Sequence, residues 1–400
     1  IAVVDLVAGV SNDAVNFLNS SIGSKVASIR VILIVASLGI LCGVLFSSGM
    51  MEVARKGIFN PSFFTMPDLI MIFMAVMIAD ILVLDLFNTY GLPTSTTVSI
   101  VFELLGAAVA MSLIKILNSG DSISTLSEYI NSAKALSIIG GILLSIVVAF
   151  TCGAVVQFVA RVLFTFEYEK RLKAFGGIWG GLSVACIILF LLIKGMKGAT
   201  FITPELADYI YSHLTLLFLC VFVVFGVLLQ LLVNIFSIDI FKPIVLLGTF
   251  SLALAFAAND LVNFVGVPIA GYHAYAAAYA TSDPLHTSMA VLSGKVPTSW
   301  VWLMASGVIM VFSLWFSKKA RTVVDTSLNL STHDEENERF ESFVLSRAIV
   351  RMFSSLSDAV LIATPRAMKK FVRRRFLRTD SVLAMDQERE VSFDLVRAST

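Results

Sequence analysis

Residues 11–17 read Ser-Asn-Asp-Ala-Val-Asn-Phe, and residues 258–264 read Ala-Asn-Asp-Leu-Val-Asn-Phe. Asn12, Asp13, Asn16 and Phe17 thus recur as Asn259, Asp260, Asn263 and Phe264. Each copy interrupts an apolar stretch, 1–23 in one case and 241–280 in the other. An ionised Asp within a bilayer is costly unless it has a partner or a water-filled cavity. Capping of half-helices does not account for two such acids in repeated positions. Asn residues four apart share a helix face, with the Asp beside them. Each copy therefore collects carboxylate and amide oxygens at one place, a donor set suited to a hard monovalent cation such as Na⁺; protonation of Asp13 or Asp260 would instead carry H⁺.

The composition around these motifs is that of a membrane protein. Of 400 residues, 58% are hydrophobic and 14% charged, with mean hydropathy +0.90. Soluble domains are nearer 25% charged. Apolar runs long enough to span about 30 Å of hydrocarbon fall at 30–49, 68–87, 93–117, 135–163, 175–194, 213–236 and 299–317. With the two interrupted stretches, about nine crossings are expected, all helical because open strand edges cannot be satisfied in lipid. If every run crosses once, the two motif copies run in opposite directions. The expected fold is an all-α polytopic membrane protein, an inverted-repeat secondary transporter with broken or re-entrant helices. It divides into a first repeat (1–163), connecting helices (164–240), the start of a second repeat (241–317) and a polar tail (318–400). Lysines and arginines near 25–30, 170–173 and 318–321 place that tail in the cytoplasm, while Arg55 and Lys56 run against the pattern. In the tail, 342–363 reads as an amphipathic helix, and 366–378 as a basic segment for anionic lipid headgroups rather than nucleic acid.

A second element is Gly91-Leu92-Pro93-Thr94-Ser95-Thr96-Thr97, opening an apolar helix. Pro at a helix start, followed by Thr94, Ser95, Thr96 and Thr97, offers hydroxyls and free backbone N–H groups at the positive end of the helix dipole. This is an anion cradle without lysine. Asp13 and Asp260 would repel its anion unless cations lay between them, and that arrangement is cotransport. Asn12 and Asn259 are assigned to the substrate; Asp13, Asn16, Asp260 and Asn263 to the coupling cation, with Asp13 and Asp260 as the ligands if it is Na⁺. Asp85, close before the cradle with Asn88, is expected to line the same cavity. Asp80 and Glu103 are further acids inside apolar runs.

These motifs, together with Met51-Glu52-Val53-Ala54-Arg55-Lys56-Gly57-Ile58, resemble the inorganic phosphate transporter (PiT) family over residues 1 to about 320. The resemblance implies sodium- or proton-coupled uptake of orthophosphate, inverted repeats and a large cytoplasmic loop. It adds Glu52 to the coupling residues and makes Ser95, Thr96 and Thr97 phosphate ligands. Three departures stand out. Val98 replaces the family's His after Ser-Thr-Thr, Gly266 stands at the counterpart of Asn19, and no second Pro-x-Ser-Thr-Thr follows residue 260. The last departure leads to the expectation that the natural chain continues past Thr400.

The same donors would suit another tetrahedral oxyanion such as sulfate. No nucleophile with a base and no zinc spacing among His213, His273, His286 and His333 is visible, so an enzyme is not expected, and no cofactor beyond the Na⁺ or H⁺ coupling ion. The expected partners are phosphate, that ion and membrane lipids, with a homo-oligomer left open. The expected location is the plasma or inner membrane.

Overall fold

The computed structural model describes residues 1–45, 58–198, 203–290, 299–331, 343–377 and 391–400. Among these the chain is helical, with two isolated bridges, Phe59 to Ile130 and Thr65 to Ser288. The first stretch forms α1 (Ala2–Asp13) and α2 (Val15–Gly23), joined at Ala14. Next come α3 (Ile29–Leu45), α4 (Met66–Tyr90) and α5 (Thr96–Ser119). Then follow α6 (Ser132–Phe164), α7 (Glu169–Gly198), α8 (Leu214–Phe236) and α9 (Phe241–Tyr279). The chain ends with α10 (Trp300–Phe316), α11 (Lys318–Ser331), α12 (Val344–Ala363), α13 (Arg366–Arg375) and a last turn, Leu395–Ala398.

Among the described residues six helices, α4 to α9, are long and apolar enough to cross a membrane, or seven spans if α10 and α11, bent by 64°, count as one. The other expected stretches also form helices, but shorter ones: 1–23 divides at Ala14, and α3 and α10 have 17 residues each.

The central element is α9. At 1.5 Å per residue it is about 58 Å long, and it contributes to all three apolar cores. Small residues let other backbones approach it, as is common between helices in lipid. Gly39 and Gly43 of α3 face α9 so closely that a Cβ on either would strike the carbonyls of Phe250 and Leu254. Gly9 of α1 lies under the Phe264 ring, while Phe17 of α2 packs 5.3 Å from Phe256. These two contacts, and a hydrogen bond between Ser21 and Thr249, show α1 and α2 running antiparallel to α9.

The α4–α5 hairpin forms beside them. Thr65 and Asp68 make a capping box at the start of α4, and Lys115 near the end of α5 pairs with Asp68 at 2.6 Å. Gly91 closes α4 with φ 67°, a left-handed conformation that costs glycine little; a Cβ there would also meet Thr322 and Thr326 at 2.9 Å. One stripe of α5 is buried: Thr96, Ile100, Leu104, Ala108, Ser112 and Ile116. By contrast, the most apolar windows of α6 and α8 are 0% and 6% buried. Apolar on all sides and exposed, they suit lipid.

The tail is not uniformly detached. Helix α11 buries Ala320, Val323, Val324 and Leu328 in the main core. The last ten residues dock as well: Phe393 packs in that core, Val396 is fully buried, and Asp394 receives both guanidinium nitrogens of Arg161 at 2.7 and 3.0 Å. Helices α12 and α13 form where the sequence places them, separated by Pro365, and reach α6 through Phe353 on Phe150 and Phe376 on Phe158.

Candidate functional site

Helix α1 ends at Asp13 because the hydrogen-bond ladder is interrupted there. Ala14 N still reaches the Val10 carbonyl at 3.0 Å, but the next bond is a tighter turn from Phe17 N to Ala14 O at 3.4 Å. Asn and Asp form alternative local bonds readily, and here both side chains are drawn toward the segment before α5. Asn12, fully buried, donates to Asn88 Oδ1 at 2.9 Å and to the Leu92 carbonyl at 3.0 Å. Its own Oδ1 accepts the Thr94 N–H at 2.8 Å. Asn88 in turn donates to the Ala8 carbonyl at 2.8 Å. The Asn12 amide is therefore committed to shaping the cradle. It holds the loop between Leu92 and Thr94.

Asp13 lies one residue on and is 3% exposed. Thr96 Oγ1 donates to its Oδ2 at 2.7 Å, and Asn16 Nδ2 to its Oδ1 at 3.3 Å. In the second copy, Thr97 Oγ1 donates to Asp260 Oδ1 at 3.3 Å. Asn263 Nδ2 is shared between Thr97 Oγ1 at 3.0 Å and Asp260 Oδ1 at 3.3 Å. The two motif copies, distant in sequence, thus meet at consecutive residues in the first turn of α5. Adjacent Cα atoms are about 3.8 Å apart, so the acids flank one helix terminus.

That terminus differs in detail from the sequence expectation. Pro93 does not open the helix. Ser95 is the N-cap, its hydroxyl accepting the Val98 N–H at 3.4 Å, and α5 starts at Thr96. Thr94 and Ser95 therefore belong to the extended entry, Thr96 and Thr97 to the first turn. Thr96 is buried on Asp13, while Ser95, Thr97 and Asn16 are exposed and Asn259, Asp260 and Asn263 half-buried. The accessible mouth is thus on the side of Asp260. The second copy also sits within continuous α9, so a helix break is found at Asp13 and not at Asp260.

Two expected members are not among the contacts of this terminus. Asp85 is exposed and pairs with Lys319 of α11. Glu52 lies outside the described residues. Asn88 is close to the cradle, as expected, and proves to be the residue that fixes Asn12. The Leu92 carbonyl had no signal in the sequence. Among the described residues no group of three or more His, Cys, Asp and Glu side chains is arranged to hold a metal ion. A separate cavity of about 450 Å³, lined mainly by apolar residues such as Leu6, Val265, Trp302 and Ile309, contains none of the motif side chains.

The sequence matches the Phosphate transporter family over residues 9–326, a span that includes both motif copies and the cradle between them. The chain belongs to that family. It is accordingly a multi-pass membrane protein of a transporter family, not an enzyme family. Among curated relatives, "Putative phosphate permease TK2061" of Thermococcus kodakarensis is 27% identical over 74% of this chain and 68% of its own. A second, PYRAB14010 of Pyrococcus abyssi, with the same descriptive name, is 26% identical over 74% and 68%. A solved structure described as the sodium-dependent phosphate transporter superposes with a TM-score of 0.58, covering 100% of this chain and 85% of that one at 17% identity. At that identity the likeness establishes the fold.

Proposed function

We propose that this phosphate transporter family member carries inorganic phosphate together with Na⁺. Phosphate sits at the first turn of α5, held by Ser95, Thr97 and the backbone N–H groups there, with Asn12 setting the loop and Asn259 at the rim. Na⁺ occupies the space between the anion and the two carboxylates, ligated by Asp13, Asp260 and oxygens of Asn16, Asn263, Thr96 and Thr97. The observation that carries the reading is that Asp13 and Asp260 engage neighbouring threonines of one helix N-terminus. Two acids beside an anion cradle repel the ligand unless cations intervene. The name of the related structure, a sodium-dependent transporter, favours Na⁺ over H⁺.

An inverted repeat is supported by reciprocal packing. Gly9 and Phe256 each lie eight positions before the motif Phe of their own copy, and each contacts the Phe of the other copy. Exchange of the two halves maps one contact onto the other. With α13 and its arginines against anionic headgroups, the plasma or inner membrane is the expected location.

The test is uptake of radiolabelled phosphate by proteoliposomes containing the complete natural chain. Accumulation should follow an imposed Na⁺ gradient and resist excess sulfate. Equal uptake without Na⁺, or full competition by sulfate, contradicts the reading.

A further inference from the structure

About two turns back along α1 from Asp13 lies a second group of acids that the transport site does not use. Asp5 of α1 and Asp80 of α4 are both 0% exposed. Their carboxyls face one another, and Glu103 of α5 lies beside them. Among the described residues, none of the four Asp oxygens has a hydrogen-bond partner at normal geometry, because the Ser99 hydroxyl, which lies beside Asp80, is given to Glu103. Glu103 Oε1 accepts the Ser99 hydroxyl at 2.6 Å, and its Oε2 is buried without a partner.

The arrangement mirrors the site already described. The same three helices bring the groups together: α1 supplies Asp13 and Asp5, α4 supplies Asn88 and Asp80, and α5 supplies Thr96 and Glu103. Thr96, Ser99 and Glu103 are three and then four apart, so they share a face of α5. At 1.5 Å per residue the two rungs are about 10–12 Å apart.

Carboxylates in mutual contact, closed off from water, cannot all be ionised. They need a positive charge between them or a proton on one of them. A metal ion would need several oxygens around a common point, and among the described residues no acid group of three or more has that arrangement. Two opposed acid oxygens without donors become a satisfied pair when one is protonated, because the O–H then donates across the contact. The other ionisable side chains facing the pair are Glu103 and Asp13 further along α1. Neither Asp has a lysine or arginine ion pair among the described residues.

We propose that Asp5 and Asp80, with Glu103 as the neighbouring acceptor, form a second cation site that holds a proton, separate from the Na⁺ and phosphate site. One proton is shared across the Asp5–Asp80 contact. When it leaves, the two charges repel, and since Asp80 and Asn88 lie on one helix, the α1–α4 contact that fixes the cradle loosens. External pH thereby acts on transport without a change at Asp13 or Asp260. The site's place in the transport cycle rests on the proposed function; its occupancy by a proton does not.

The test uses the complete natural chain, purified, monodisperse and saturated with Na⁺. Infrared difference spectra in H₂O and D₂O at neutral pH should show the C=O band of a protonated carboxyl. Asp80→Asn and Asp5→Asn should each remove it, whereas Asp85→Asn should leave it. In proteoliposomes under a constant Na⁺ gradient, the pH dependence of phosphate uptake should flatten in Asp80→Asn. Absence of the band from the wild type, its persistence in either variant, or loss of one bound ²²Na⁺ per chain in Asp80→Asn overturns the proposal. A wild type that shows the band and its loss in both variants yet takes up no phosphate contradicts the transport reading alone.

Discussion

The two copies of Asn-Asp-x-Val-Asn-Phe share their letters but not their surroundings. In the first, Asn12 and Asp13 are buried at the end of a helix, and the acid takes two donors, Thr96 and Asn16. In the second, Asp260 and Asn263 lie within an uninterrupted helix, half-buried, and share the exposed Thr97. One copy builds the inner wall of the site and the other its mouth. A sequence repeat therefore specifies which groups meet, while the neighbours of each copy decide how firmly each group is held.

The largest expected effect comes from breaking the inner wall. Asp13→Asn should lower Na⁺-driven phosphate uptake by about 100-fold or more, measured in correctly inserted protein. The same change at Asp260 should cost less, because that carboxylate is less enclosed; equal losses would erase the distinction between wall and mouth. Asn12→Ala comes next. It leaves Asn88 Oδ1, the Leu92 carbonyl and the Thr94 N–H without the partner that Asn12 supplies, at about 1–3 kcal/mol for each of these groups that stays closed to water. Thermal unfolding should shift downward along with phosphate affinity. A loss of affinity at unchanged stability would mean that Asn12 touches the ligand instead.

Thr96→Val against Thr97→Val sharpens the contrast. Thr96→Val should destabilise the protein through the buried Asp13, whereas Thr97→Val should weaken phosphate binding roughly tenfold with little change in stability. The smallest effect is expected from Asp85→Asn, since exposed ion pairs contribute about 0–1 kcal/mol; uptake should stay close to wild type. A large loss would return Asp85 to the site.

Much of this arrangement is legible in the sequence. The membrane class follows from apolar content, and the meeting of the two motifs near Ser-Thr-Thr follows from the cost of acids in lipid. Hydropathy registers apolar length and not where a ladder breaks, so the division of 1–23 at Ala14 has no signal in the sequence. The start of α5 was placed too early because Pro93 is a good first helical residue, whereas Ser95 competes as a better N-cap. The pairing of Asp85 with Lys319 has no signal in the sequence, because the two residues are far apart along the chain. Asp5 is legible as a buried acid only from its place seven residues before Asn12, on the same helix face. What decides these cases is long-range contact, and a single chain read alone gives no direct view of it.

The most direct measurement is equilibrium binding of labelled phosphate to the purified complete chain, with and without Na⁺. Phosphate affinity should rise at least about tenfold when Na⁺ is added, and that rise should disappear in both Asp13→Asn and Asp260→Asn. Phosphate binding that ignores Na⁺, or that keeps its full Na⁺ dependence in either variant, would contradict the claim that cations held by these two acids make room for the anion.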